Sequence, residues 1–140
     1  RWAAWLLALW CGVLLAISLG VAPLAFGSFP REVAGAFMGR VFALEAGWSC
    51  GVAVLVLILY RQGRARQHSE GTAGGLDGMV LMIAGALFCT VAGFYGLQPL
   101  MERARSGAGP LSFTTAHGLS MGFFAVKTLL FGLAAWRMGR

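Results

Sequence analysis

Glu45, His117 and Lys127 are the ionisable side chains that fall deep inside long apolar stretches of this 140-residue sequence. A charge at the centre of a bilayer costs about 2.5–3.5 kcal/mol on insertion scales, so each of the three needs a partner or water. His titrates near neutrality and a neighbouring carboxylate favours its charged form, so a Glu–His pair in one layer would hold a proton or a cation. With one His and one Glu, the same pair also reads as a structural lock between two helices. A second set is Cys11, Cys50 and Cys89, one thiol near the middle of each of three helices, with Met82 and Met121 at similar depth. Soft sulfur ligands suit soft metals, whereas single buried Cys and Met also serve as packing residues, and packing is the stronger reading. No paired spacing such as CxxC appears, so neither a disulfide framework nor a zinc site follows, and whether a metal binds stays open.

The elements that must position these residues are legible from composition. The chain is 59% hydrophobic and 11% charged, against about 25% charged for soluble domains. Four apolar blocks, 2–26, 37–60, 76–98 and 111–136, each reach the roughly 20 residues that cross a hydrocarbon core. No segment alternates as a membrane strand would. The expected fold is therefore all-α, one integral membrane four-helix bundle over residues 1–140, with residues 61–75 as a polar linker. The first block is too long for the apolar part of a removable signal peptide.

Arg1, Arg61, Arg64, Arg66, Arg137 and Arg140 fall on one side of such a bundle, and Arg31, Arg40, Arg103 and Arg105 on the other. Positive-inside then places both termini and the middle linker in the cytoplasm, with Trp2, Trp5, Tyr60 and Trp136 as an inner aromatic belt. The net charge of +6 is thereby spent at loop ends, which excludes a nucleic-acid partner and leaves membrane lipid. His68, in the polar linker, reads as solvated. Ala4, Ala8, Gly12, Ala16 and Gly20 form a small-xxx-small stripe on the first helix, expected to seat another helix of this chain, with a homo-oligomer seam as the alternative.

Depth sorts the ionisable groups. Counted from residue 37, Glu45 lies about 12 Å below the outer face, and His117 about 9 Å below it from residue 111. Arg40, Tyr95 and Gln98 belong to the same outer layer. On the fourth helix Thr114, His117, Ser120, Met121, Phe124 and Thr128 share one face, expected to point into the bundle. The candidate polar layer is thus Arg40, Glu45, Tyr95, Gln98, His117 and Ser120. Lys127 lies deeper, where its stem is expected to snorkel toward the inner headgroups.

The stretches "LGVAPLAFGSFPREVAGAFMGRVF" and "GLQPLMERARSGAGPLSFTTAHGLSMGF" resemble the transmembrane protein 205-like family, whose bacterial members are small four-helix proteins of largely unknown function. The resemblance rests on Val21 to Pro23, on Gly39, Arg40 and Phe42, on Pro99 with Arg103 or Arg105, and on His117, Gly118 and Ser120. It implies a multi-pass protein of the bacterial inner membrane and a role in moving soft-metal compounds. Phe124 stands where the family pattern has an Asn, interrupting any polar path beyond Ser120.

No hydrolase, kinase or dinucleotide motif is present, and "GTAGG" lacks the strand and helix of a phosphate loop. The expectation is a non-enzymatic membrane protein without cofactor. One reading is transport or resistance toward soft-metal compounds or cations through the outward-facing polar layer. The alternative is an accessory or assembly subunit packed against a larger membrane complex.

Overall fold

A tight turn at residues 29 and 30 joins the first two helices and sets the depth of everything after it. Pro30 has no N–H to donate and forces the residue before it out of the helical region. Phe29 is accordingly extended, at φ −124° and ψ 155°. The next helix starts at Arg31 at once, its first bond running from Ala34 N–H to Pro30 O. The computed structural model describes residues 2–67, 77–107 and 109–140. Within them the helices are Trp2–Ser28, Arg31–Gln67, Gly78–Arg105 and Phe113–Gly139, called here the first to fourth.

All four are long and apolar enough to cross a membrane, and no strand occurs among the described residues. This is the all-α four-helix membrane bundle. The expected boundaries shift at two helices, and the third runs on to Arg105, seven residues past the end of the block at 98. The second helix begins six residues earlier than the apolar block at 37, and it continues through residues 61–67, expected as linker. Hydropathy marks only what lies in hydrocarbon, whereas this helix has 37 residues, about 55 Å, and carries its polar ends beyond a 30 Å core. His68 and the "GTAGG" tract lie outside the described residues.

Two prolines shape the first and third helices. Pro23 and Pro99 cannot donate to the carbonyl one turn back, and each follows a π-helical segment, Ile17–Val21 and Val91–Gly96 respectively. Such wide turns let a membrane helix absorb a proline with its carbonyls re-satisfied locally. Ala22 N–H, for example, bonds Ile17 O. Asp77 caps the third helix by accepting from Met79 N–H, and Ser112 caps the fourth by accepting from Thr115 N–H. Gly107, at φ 71°, supplies the left-handed residue just past the end of the third helix.

Around the bundle the helices neighbour one another in the order first, fourth, third, second, and back to the first. The second and fourth are therefore diagonal, and their backbones do not approach each other. The main core joins Leu7 and Leu14, Val52 and Val56, Ile83 and Ala86, and Phe131 and Ala134, one pair from each helix. Packing here comes from dispersion and close fit, since lipid tails are as apolar as leucine. The small-residue stripe does not take part as expected. Ala8, Gly12 and Ala16 are exposed, and a Cβ placed on Gly12 or Gly20 would meet nothing within 4 Å. Leu7 and Leu14, on another face of the first helix, are the residues buried in the core instead.

Candidate functional site

Lys127 and Glu45 reach across the diagonal of the bundle and meet on its axis. Lys127 Nζ donates to Glu45 Oε1 at 2.8 Å and to Oε2 at 2.9 Å, and the two residues are only 3% and 4% exposed. Each stands fourteen positions into its helix, counted from Arg31 and from Phe113, which is about 21 Å of rise. Both helices run the same way, so the two charges share one depth near the middle of the membrane. Two long side chains suit a diagonal gap that backbones leave open.

The pair is embedded in further polar contacts. Ser49, one turn after Glu45, donates its hydroxyl to Oε1, and Trp10 Nε1 of the first helix donates to Ser49 Oγ at 2.9 Å. The ammonium also sits over the Phe124 ring, 4.6 Å from its centroid, a favourable place for a desolvated cation. Three of the four helices are thus tied through one carboxylate.

This arrangement departs from the layer expected from sequence. Glu45 takes Lys127 as its partner, not His117, and Lys127 turns inward to it instead of snorkelling. His117 is exposed, its ring stacked on Phe113 at 5.7 Å. Arg40 and Tyr95 are also exposed, Gln98 is half-buried, and Ser120 donates to Gly93 O at 3.0 Å. Among the described residues no hydrogen bond joins any two of these six. The fourth helix is rotated so that Ala116, Lys127, Phe131 and Ala134 face inward. A midplane ammonium has farther to go to water than an imidazole one turn from the helix start, so burying Lys127 with its counter-ion decides the rotation. Trp10 and Ser49 carried no signal in the sequence beyond being a Trp and a Ser at membrane depth.

The thiols do not assemble. Cys11 Sγ lies 3.7 Å from Thr128 O, Cys89 is buried, and Cys50 is half-buried. Among the described residues no three His, Cys, Asp or Glu side chains converge as a metal site would require.

A second polar cluster closes one end of the bundle. Tyr60 and Arg64 of the second helix both donate to Asp77 at the start of the third, which also accepts from Met79 N–H. The Tyr60 hydroxyl, then the Met79 N–H and Arg64, hold the Asp77 carboxyl below its ordinary range. A depressed carboxyl contributes stability above the unfolded value, about 3.9, and loses it as pH falls through the lower folded value. Thermal unfolding in detergent should therefore show a midpoint that drops in acid. Asp77→Asn, which keeps the helix cap but not the charge, should remove that share of the drop. An unchanged acid response in the variant would exclude Asp77 as its source.

Residues 5–109 match the family described as "Domain of unknown function (DUF4149)". The chain belongs to this family. The match covers most of the first three helices, including Trp10, Glu45, Ser49 and Asp77, whereas Lys127 lies beyond it. Membership is thus of an uncharacterised family, and the transmembrane protein 205-like name does not come with it. No curated protein and no solved structure matches the chain.

Proposed function

We propose that this DUF4149 protein is a non-enzymatic, multi-pass protein of the bacterial inner membrane that moves cations or soft-metal compounds, or confers resistance to them. The buried Glu45–Lys127 pair would be the site where charge or a proton is exchanged. The observation that carries the reading is an ion pair on the bundle axis at mid-membrane depth, a place where ionisable residues mark ion paths and proton relays. The outer layer of Arg40, Tyr95 and His117 serves at most as an approach. Dye-loaded liposomes holding the purified protein and a pH gradient test it, with Na⁺, Ag⁺ and Cu⁺ added one at a time. Wild type should dissipate the gradient with at least one cation, and Glu45→Gln combined with Lys127→Met should not. Equal traces from both proteins for every cation would overturn the reading.

Both termini are proposed to be cytoplasmic, on the six-to-four division of arginines. Reporter fusions after Arg140 and in the middle linker should both report cytoplasm. A periplasmic signal from either reverses the orientation.

An accessory-subunit role is the second reading, supported by glycines at 12, 20, 47, 51, 118 and 122, whose outward faces meet nothing within 4 Å. Purification from native membranes separates the two. A stoichiometric membrane partner favours the subunit, and a self-contained protein favours transport.

A further inference from the structure

We propose that Trp10, Ser49 and Glu45 form a proton-operated latch across the seam between the first and second helices, with Lys127 as its anchor. The first helix packs on the fourth through Trp2–Ala16 and on the second along more of its length, where Ala25 joins Ala34 and Met38 in a second buried cluster. Next to that cluster, in the seam between the first and second helices, runs a groove of about 470 Å³, walled by Trp10, Val13 and Ile17 on one side and by Val41, Leu44 and Trp48 on the other. Glu45 lies at its floor. Among the described residues the Trp10–Ser49 bond is the one side-chain hydrogen bond between these two helices.

Donor and acceptor rules give this chain of bonds a direction. An indole N–H only donates, so Ser49 Oγ must accept from Trp10. The single Ser49 proton then goes to Glu45, and an ammonium has nothing but protons to offer. Every neighbour donates to the carboxylate, so the network is complete only while Glu45 is ionised. Protonation reverses it. The new carboxyl O–H finds no acceptor on Lys127 and turns to Ser49 Oγ, which must then send its own proton elsewhere, as to the carbonyl one turn back. Donation to a charge strengthens the bond that a hydroxyl accepts. With that donation lost, the Trp10 bond weakens and the groove loosens at its floor. Lys127 from the fourth helix is the charged group on Glu45, its own helix brings Ser49, and the first helix brings Trp10 through Ser49; among the described residues the third helix puts no side chain in hydrogen-bond contact with the carboxylate. The latch uses the same Glu45–Lys127 pair as the proposed exchange site, but its readout is the Trp10 bond and needs no cation.

Indole ¹⁵N-labelled protein in lipid nanodiscs tests it, with the Trp10 signal assigned by Trp10→Phe. On acidification from neutral to the most acidic condition at which the protein stays folded in the nanodisc, the Trp10 N–H proton should move upfield while the Trp136 signal stays in place. Ser49→Ala removes the relay but leaves the ion pair that holds the fold, and its Trp10 signal should no longer respond. A Trp10 signal that stays put in wild type, one that moves equally in Ser49→Ala, or joint loss of all indole signals at one pH would each overturn the latch.

Discussion

Lys127→Met is expected to destabilise the detergent-solubilised protein by about 3–5 kcal/mol, the range for stripping one partner from a buried ion pair. The methionine fills a similar volume, so the loss comes from Glu45, left in a site where Ser49 alone can bond it. Combining Lys127→Met with Glu45→Gln should recover most of the loss, because a neutral amide still accepts from Ser49 and no charge remains to desolvate. Equilibrium unfolding of wild type, the single variant and the double variant measures both effects. A single-variant loss under about 1 kcal/mol, the value of an exposed pair, would mean that water reaches the bundle axis.

Gly93→Ala should cost about 1–3 kcal/mol by overpacking. A Cβ on Gly93 would stand 2.6 Å from Phe123 Cβ, an atom next to the backbone that no rotamer change can move aside. The third and fourth helices would separate there and stretch the Ser120–Gly93 O bond of 3.0 Å. Gly12→Ala supplies the contrast, since its Cβ meets nothing within 4 Å. Alanine's better helix propensity, worth up to about 1 kcal/mol, should make that change neutral or stabilising. The same unfolding measurement decides, and an equal response at both positions would contradict the close helix approach at Gly93.

A six-residue difference in where the second helix starts hides the ion pair from a reading of hydropathy. With the second helix counted from residue 37, Glu45 rises to the layer of His117. With the helix counted from Arg31, Glu45 drops about 9 Å, to the depth of Lys127. Arg31 and Glu32 look like loop residues to a hydropathy reading, yet the Pro30 turn makes them the first turn of a helix. The π segments were equally silent, because the prolines at 23 and 99 announce a disturbed helix without saying how its carbonyls are satisfied.

By itself the sequence determined the class of this protein. Four apolar blocks of about 20 residues in a chain with few charges admit only membrane-spanning helices, since backbone polar groups in hydrocarbon must be bonded within their own segment. It also singled out Glu45, Lys127 and the three thiols as the groups whose burial needs an explanation. Only the tertiary structure decided which faces turn inward: Ala116 and Lys127 over His117, Leu7 and Leu14 over the glycine stripe, and Trp10 onto Ser49. The reason is the solvent. In water an apolar face must be buried and the helical period reveals it, but a helix apolar all round is content with lipid on any side. Its rotation is then set by a few close fits and one pair of charges, which become visible only when the four helices stand together.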